Sequence, residues 1–265
     1  MRTSLSPFAA YARSAFQLIL ADRGMLFGDM VLATMIPFLV QGVLWIWLQQ
    51  EVPGNLSAMQ TLFYFAYAIA MGRLNNGYEI IVTTSDRVTR GALDAYALRP
   101  VSYITQEFSS FLGGSVAYAA PLGLVFVFHF VADERLRSLG LPFALGALAL
   151  LILSIVICFH FYWILASWCT KLIRAEFLAT LAVFVAGFLG GELIPMPLMP
   201  DWLQDFCRFS PFYAMCAAFG ETLVFGDPHL LKQNLLLAAT WALILVPLAH
   251  FSWRLSIKSY VSAGG

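Results

Sequence analysis

The chain has 265 residues, of which 60% are hydrophobic and 11% are charged. Soluble domains carry roughly 25% charged residues, so this composition excludes an ordinary soluble protein and indicates that lipid is the solvent for most of the chain. The 15 basic and 15 acidic residues cancel, which leaves no basic surplus of the kind that binds nucleic acid. A nucleic-acid partner is therefore not expected.

The first predicted element is an amphipathic helix within residues 1–24, ahead of the first long apolar run. Its polar face carries Arg13, Ser14 and Gln17. This pattern favours a helix lying in the cytoplasmic membrane interface, and a plain cytoplasmic extension of the first span is the alternative. The opposite, apolar face consists of Phe8, Tyr11, Ala12, Ala15, Leu18 and Ile19.

Six apolar stretches follow, and a bilayer core about 30 Å thick requires about 20 apolar residues per helix. The fifth stretch, 177–191, is shorter and stops at Glu192 and the proline-rich run 195–200. Because the backbone must satisfy its own hydrogen bonds in lipid, we predict an all-α integral membrane protein with six transmembrane helices. The other five predicted spans are 25–48, 59–83, 104–131, 141–168 and 233–253.

Residues 192–232 are predicted to form an external segment between the last two spans. The pieces 202–206 and 211–225 are apolar but too short to cross a membrane. Ser210 is placed to cap the second piece, and Pro211 stands at its first helical position. We predict re-entrant or interfacial helices that pack on the fifth span, with a long hydrophobic external loop as the alternative.

The four cysteines form no C-x-x-C pair, so a metal site is not expected. Cys158 and Cys169 fall in or beside a hydrophobic helix. Cys207 and Cys216 lie in the predicted external segment, where a disulfide is one reading and two buried free thiols are the reading we favour.

The distribution of Lys and Arg predicts the orientation. Ten of these residues lie in the segments on the side of the two termini, four lie in the opposite loops, and Arg73 lies inside a span. Because basic loops stay on the inner side of a membrane, both termini are predicted to be cytoplasmic.

The longest predicted cytoplasmic loop, 84–102, has a helical composition at its centre. Ser85 or Asp86 is suited to cap this helix, and Arg99-Pro100 is suited to end it. Four apolar residues in the loop indicate that something covers it. They are Val88, Leu93, Tyr96 and Ala97.

Ionisable and polar residues inside the predicted spans are costly and mark either function or helix pairing. The chain places them in the cytoplasmic half of the first three spans, so we predict one cluster. Whether it lines a substrate path or joins three helices stays open, with a slight preference for the second reading. The members are Asp29, Arg73, Asn76, Glu79 and Glu107.

Motifs of catalysis are missing from the sequence. No G-x-x-x-x-G-K-[ST] phosphate-binding loop occurs, so the chain is not expected to hold ATP by that route. His129 and Asp133 are one residue short of the H-x4-D spacing of membrane acyltransferases, and Ser115 has no G-x-S-G context. His160 and His250 stand alone on apolar helices, where a packed histidine is commoner than a catalytic one. An enzyme is not expected.

Several short motifs resemble ABC-2 type permeases, in particular the six-helix subfamily long described only as a domain of unknown function. The N-terminal amphipathic helix, the proline-rich break and the basic C-terminal tail agree with this resemblance, which covers essentially residues 1–265 as a single domain. The external helix after Pro211 departs from the pattern, because it lacks the later proline often seen in this subfamily and has Ala218-Phe219-Gly220 in that region. The matching motifs are Arg87-Val88-x-x-Gly91-Ala92-Leu93, Ala97-Leu98-Arg99-Pro100, Pro200-Asp201-Trp202-Leu203 and Ser210-Pro211-Phe212.

The resemblance implies a transmembrane subunit of an ATP-binding-cassette exporter in a prokaryotic inner membrane. Two such subunits, identical or paralogous, would pair with separate nucleotide-binding subunits that carry ATP and Mg, so no cofactor is expected in this chain. Substrates in the family imply an amphipathic drug, lipid, glycan or peptide. The resemblance also makes loop 84–102 a coupling helix for the ATPase, and its candidate contact residues are Arg87, Val88, Arg90, Leu93, Asp94, Tyr96, Leu98 and Arg99.

The end of the fifth span is predicted to form a gate against a second permease. Gly187-x-x-x-Gly191 is a spacing that lets two helices approach closely, although packing within one chain explains it nearly as well. Leu189, Leu193 and Ile194 would meet at the subunit axis and close a cavity by an apolar constriction.

Two alternatives to the exporter remain: a self-contained secondary transporter and a membrane scaffold. Secondary transporters often contain matching interrupted helices in two repeats. In this sequence only the fifth span is expected to be broken, which argues against such a carrier.

Overall fold

Helices make up nearly all of the chain that the structure describes. The structure, a computed structural model, describes residues 6–51, 56–97, 99, 101–168 and 175–258, and of residues 49–51, 94 and 97 the backbone alone. Within these ranges there is no β-strand. The helices are α1 Pro7–Ala21, α2 Arg23–Met30, α3 Ile36–Glu51, α4 Ala58–Leu74, α5 Tyr78–Thr89, α6 Leu93–Ala97, α7 Tyr103–Ala117, α8 Ala119–Ala132, α9 Glu134–Ser138, α10 Gly140–Trp168, α11 Ala175–Leu189, α12 Asp201–Arg208, α13 Pro211–Met215, α14 Ala217–Phe225 and α15 Pro228–Ile257.

Helix starts follow the capping chemistry of the sequence. Ser57 and Gln60 form a capping box at the start of α4, with the Ser57 backbone N–H donating to Gln60 at 2.9 Å. Ser102 caps α7. The predicted cap at Ser210 is confirmed, since its hydroxyl oxygen accepts the Tyr213 backbone N–H at 3.3 Å.

In the part of the chain that the structure describes, three helices are long and apolar enough to cross a membrane: Arg23–Leu48, Gly140–Trp168 and Pro228–Ile257. The first is continuous from α2 to α3 through a π-helical turn, Val31–Met35. α7 and α8 give a fourth candidate if they are counted as one span bent by 47°. These helices make the chain a multi-pass membrane protein. The count of six stays a prediction, because the second predicted span is divided and α11 has only 15 residues.

The second predicted span is broken between α4 and α5, at residues 75–77, and the third is bent at Tyr118. The expectation that only the fifth span is interrupted was therefore wrong. Neighbouring helices satisfy the backbone that the break frees: the Ser115 hydroxyl donates to the Leu74 carbonyl at 2.8 Å, and the Cys158 thiol donates to the Asn75 carbonyl at 3.1 Å. Broken helices at membrane depth need such partners or a cavity.

The centre of the fold is the long contact between α10 and α15, with α5 and α11 packed beside it. Trp163 of α10 is fully buried, and its ring lies 5.0 Å from that of Trp253 on α15. Tyr103 at the start of α7 completes this aromatic cluster. Burial of such large rings contributes strongly to the packing at this end of α10.

The N-terminal helix α1 packs along α7. The Ser109 hydroxyl donates to the Phe8 carbonyl, and the rings of Phe8 and Phe108 lie 6.3 Å apart in an edge-on arrangement. The helix α1 therefore packs partly on α7 of the same chain, which leaves the rest of its predicted apolar face available to a membrane surface. Its placement in the cytoplasmic interface stays a prediction.

The segment 192–232 does not form a loop outside the bundle. α14 is buried from Ala217 to Val224 and packs mainly on α4, while α13 lies against α10, α11 and α15. A long loop without helices is thus wrong for α13 and α14, which are helical and buried. The placement of residues 192–232 relative to the membrane stays a prediction. Cys207 and Cys216 are buried free thiols, as favoured from the sequence, and Cys169 lies outside the described residues.

Candidate functional site

The helix break beside Arg73 carries the main charged site. Arg73, in the last turn of α4, forms an ion pair with Asp29 of α2, and their side chains are 20% and 21% exposed. The Tyr118 ring, at the bend between α7 and α8, lies with its centroid 5.4 Å from the Arg73 guanidinium carbon. Three separate spans thus meet at one charge pair, which removes most of the cost of placing Arg73 inside a span.

A cavity of about 580 Å³ lies against this ion pair, between α1, α2, the α4–α5 break and α7. Asp29, Arg73, Asn76 and Glu79 all line it, so the structure brings together four of the five residues predicted to cluster. The Asn76 side-chain oxygen accepts the Tyr78 N–H at 3.2 Å and so caps α5.

Glu107 does not join this cavity lining. It pairs instead with Arg87, which also donates to the Tyr103 hydroxyl at 2.9 Å. Burial lowers the pKa of Arg87, but the Glu107 carboxylate and the Tyr103 hydroxyl outweigh burial, so this pKa lies above its ordinary value. The prediction of a single five-residue cluster was wrong in this respect, because the partner of Glu107 comes from loop 84–102.

The predicted helix of loop 84–102 is two pieces. α5 runs on to Thr89, the chain turns at Gly91 with a φ of 66°, and α6 follows. The Ala92 N–H donates to the Arg87 carbonyl at 2.8 Å, which closes the turn. A continuous helix from residue 87 to residue 98 was therefore wrong, because the left-handed conformation that Gly91 adopts ends an α-helix.

The apolar side chains of this loop are covered by the chain itself. Leu93 is 3% exposed, and the Tyr96 ring lies between the guanidinium groups of Arg87 and Arg99, 4.6 and 4.1 Å from its centroid. Val88 packs against the same core. The cover that the sequence indicated for Leu93 and Tyr96 is therefore supplied by this chain, and these side chains do not need a partner subunit to shield them.

Three of the six exposed residues in the described part of the loop are charged, and the other three, Thr89, Ala95 and Ser102, are small. Asp86 and Arg90 form an ion pair at 2.8 Å with side chains 50% and 75% exposed, and Arg99 is also exposed. Leu98 and the side chain of Asp94 lie outside the described residues. A surface of this kind favours polar contacts with a partner over apolar ones.

The glycines at the end of the fifth span make contacts inside their own chain. Gly191 has a φ of 83° and its carbonyl accepts the Tyr64 hydroxyl at 2.8 Å. The Gly187 carbonyl accepts the N–H groups of Glu192 and Leu193 at 2.9 and 3.2 Å, which forms a helix C-cap. Packing within one chain therefore accounts for the Gly187-x-x-x-Gly191 spacing.

The predicted gate residues lie within and beside this helix C-cap. Leu189 and Ile194 are half-buried against the core, and Leu193 is half-buried as well. Their contact with a second subunit stays a prediction.

Glu192 is a charged residue whose position the sequence did not reveal. A Cβ at Gly72 would lie 2.6 Å from one of its carboxylate oxygens, and a Cβ at Gly187 would lie 3.4 Å from the other. Glycines on α4 and α11 thus leave room for a carboxylate between the two helices. The sequence offered one signal for this arrangement: Gly72 and Gly187 stand on two different predicted spans, and the acidic residue Glu192 ends one of them.

A second buried polar group was missed in the segment after the prolines. Glu221 of α14 is fully buried, pairs with Arg208 of α12, and accepts the Tyr213 hydroxyl at 2.7 Å. Asn234 of α15 donates to Tyr213 and to Thr222 at 3.3 and 2.9 Å. A lone acid within the apolar run 211–225 was the signal for this network.

One family model matches the chain, with the description ABC-2 family transporter protein, over residues 29–264. A search of the curated proteins finds no match. Members of this family are transmembrane transport components. They are not themselves catalytic, and they normally work with an ATP-binding subunit. A match across nearly the whole of an all-helical, apolar chain confirms the resemblance seen in its motifs, and the protein belongs to the ABC-2 transporter family as a membrane permease of ABC-type transport.

Proposed function

We propose that this chain is the transmembrane subunit of an exporter that moves an amphipathic substrate out of the cytoplasm, driven by ATP hydrolysis on a separate subunit. The observation that carries the proposal is the cavity of about 580 Å³ at the break between α4 and α5, where Arg73 and Asn76 lie. A cavity that combines charged groups with apolar walls at an interrupted helix is an arrangement suited to an amphipathic transported molecule.

The break also supplies a mechanical link between the cavity and the cytoplasmic loop. α5 starts at the cavity, with Glu79 in its first turn, and runs without interruption to the loop at Thr89. A helix displaced at one end moves at the other, because its backbone hydrogen bonds make it a stiff rod. A partner that pushes on the loop would thus reshape the cavity.

The ATPase contact in this proposal is the exposed charged part of loop 84–102. Asp86, Arg90 and Arg99 offer groups that fix the register of a partner surface. Arg87 and Leu93 act from within, by holding α5 and α6 to the core. ATP and Mg belong to the partner, since no phosphate-binding loop occurs in this sequence.

The assembly in this proposal contains two permeases, identical or paralogous, in a prokaryotic inner membrane. Each has six crossings, with residues 192–232 re-entering from outside and both termini in the cytoplasm, as the distribution of basic residues indicates. The ends of the two fifth spans meet through Leu189, Leu193 and Ile194. This constriction would separate the cavity from the outside until ATP binding moves the subunits.

The test is transport by the reconstituted assembly. The chain is coexpressed with a candidate ATP-binding-cassette ATPase from the same organism, purified, and placed in liposomes with a fluorescent amphipathic dye. We expect ATP-dependent movement of dye with the wild-type ATPase and none with an ATPase whose phosphate-loop Lys is replaced by Ala. Copurification of no ATPase, or dye movement that ignores the Lys replacement, would contradict the proposal.

A self-contained secondary transporter is a second candidate, and the interruptions in three predicted spans favour it. The helices are broken or bent at residues 75–77, at Tyr118 and after α11, and interrupted helices surround the sites of many ion-coupled carriers. Liposomes that contain this chain alone distinguish the two. Substrate accumulation driven by a proton or sodium gradient, without any ATPase, would replace the exporter by a carrier.

A further inference from the structure

We propose that the cavity beside Arg73 binds an organic cation with an apolar body. The inference rests on the proposed transport function and names the substrate class at that same site. Three observations support it: the negative net charge of the cavity lining, the apolar and aromatic residues of its wall, and the ion pair that already engages Arg73.

The charged residues of the lining are mostly acidic. Asp22, Asp29 and Glu79 face one basic residue, Arg73, which gives three negative charges against one positive charge and a net charge of −2. In a site with apolar walls such an imbalance attracts cations and repels anions more strongly than it does in water.

Arg73 is not free to hold an anion. Its guanidinium is paired with Asp29 and lies over the Tyr118 ring. An anionic ligand would have to displace Asp29 and would then face the remaining carboxylates.

Glu79 is the acid that a ligand would meet. It is exposed on the cavity side of α5, and among the described residues it has no ion-pair partner. Asp22 has a second task, because its side-chain oxygen accepts the Met25 N–H at 2.9 Å and caps α2. Glu79 therefore supplies the uncompensated charge.

The rest of the wall is apolar and partly aromatic. Aromatic faces attract cations, as the approach of Arg73 to Tyr118 already shows within the protein. The volume of about 580 Å³ falls within the roughly 300–1,000 Å³ typical of small-molecule sites. The apolar lining includes Leu18, Ile19, Met25, Leu26, Phe111 and Tyr118.

The experiment measures equilibrium binding of radiolabelled tetraphenylphosphonium to the purified chain in phosphatidylcholine nanodiscs, with empty discs as background. Tetraphenylborate, which has the same shape and the opposite charge, is the matched probe. We expect saturable binding of the phosphonium and none of the borate. The Glu79→Gln variant should bind the phosphonium more weakly by on the order of tenfold.

Glu134→Gln serves as the control, because Glu134 is an exposed acid on α9 that does not line the cavity. It should bind like the wild type. Thermal unfolding of both variants in the same discs verifies that they fold. Unchanged affinity in a folded Glu79→Gln variant, or saturable borate binding as tight as phosphonium binding, would overturn the proposal.

The measurement needs neither ATP nor a partner, so its failure and the failure of the exporter proposal are separate results. A chain that binds the phosphonium but never copurifies with an ATPase retains the cation site and loses the exporter mechanism. The same measurement in dodecyl maltoside micelles, whose headgroup carries no ammonium group, identifies the source of the cation. Phosphonium binding that is tighter in these micelles and weakens when phosphatidylcholine or phosphatidylethanolamine is added assigns the site to a lipid ammonium group, and binding that the added lipids do not change assigns it to a soluble cation.

Discussion

The backbone of Ala12 occupies the space that a side chain at residue 113 would fill. A Cβ on Gly113 would overlap the Ala12 carbonyl group, whose carbon would lie 2.8 Å away. One turn earlier on α7, the Ser109 hydroxyl donates to the Phe8 carbonyl of the same helix α1. The N-terminal helix is therefore held to the third predicted span by backbone contact.

We expect Gly113→Ala to separate α1 from α7. Backbone cannot move aside as a flexible side chain does, so the overlap should lower the free energy of unfolding by about 1–3 kcal/mol. Gly114→Ala is the matched control, because a Cβ there would meet only Ile19 Cδ1 at 3.4 Å. Both variants gain the same helix propensity. Thermal unfolding in nanodiscs measures the difference, and equal stability would contradict the contact.

The Arg73–Asp29 pair should behave as one unit. Arg73→Gln and Asp29→Asn each leave the other charge unpaired beside the cavity, so each should cost about 1–3 kcal/mol, less than a fully buried pair because both side chains are one-fifth exposed. The double variant removes both charges and should cost less than the sum of the two. A double-mutant cycle in unfolding experiments gives the coupling energy, and strict additivity would contradict the pairing.

Two substitutions in loop 84–102 should have different effects, one on the stability of the chain and the other on binding of the ATPase. Leu93→Asp places a charge at a buried position and should destabilise the chain itself by several kcal/mol. Arg90→Glu changes an exposed side chain, so it should leave the unfolding temperature unchanged while weakening copurification of the ATPase. Full ATPase binding by the Arg90→Glu variant would move the contact away from this loop tip.

Glu221 should matter for folding more than its position outside the predicted spans suggests. Glu221→Gln keeps the shape of the side chain but removes the charge that pairs with Arg208, so we expect a loss of about 1–3 kcal/mol in unfolding free energy. The exposed Glu134→Gln variant is again the control and should lose nothing measurable. Similar unfolding temperatures for the two variants would show that the network is dispensable.

Contact between two fifth spans is tested by cysteine crosslinking at Leu189, Leu193 and Ile194, in a background whose four native cysteines are replaced by alanine. We expect crosslinked permease dimers after mild oxidation, with a yield that changes when ATP is added. An assembled complex that gives no crosslink at any of the three positions would place the subunit contact elsewhere.

Long apolar helices were predictable because their signal lies in one stretch of sequence. The predicted span 141–168 corresponds to α10, Gly140–Trp168, and the predicted span 233–253 falls within α15. Where the apolar run is long and nothing polar interrupts it, hydropathy alone is sufficient. The pairing of Asp29 with Arg73 was accessible for a related reason, since charges are rare inside spans.

The breaks and the remaining pairings were not accessible in this way. Whether 75–77 continues or ends a helix depends on Ser115 and Cys158, which come from other helices and satisfy the freed carbonyl groups. The partners of Glu107 and the burial of Leu93 likewise depend on how α5, α6 and α7 fold together. Residue type marks these positions as unusual, but only the three-dimensional arrangement selects the partner.

The π-helical turn at Val31–Met35 has a consequence for the length of the first span. Such a turn accommodates one residue more than an α-helical turn. The side chains of α2 and α3 therefore point in the same directions as they would in a continuous α-helix that lacked this residue. Deleting a single residue between 31 and 35 should therefore shorten the span while Asp29 continues to face Arg73. The first span thus has a built-in tolerance in length, and relatives that differ by one residue at this point can keep the same charge pair.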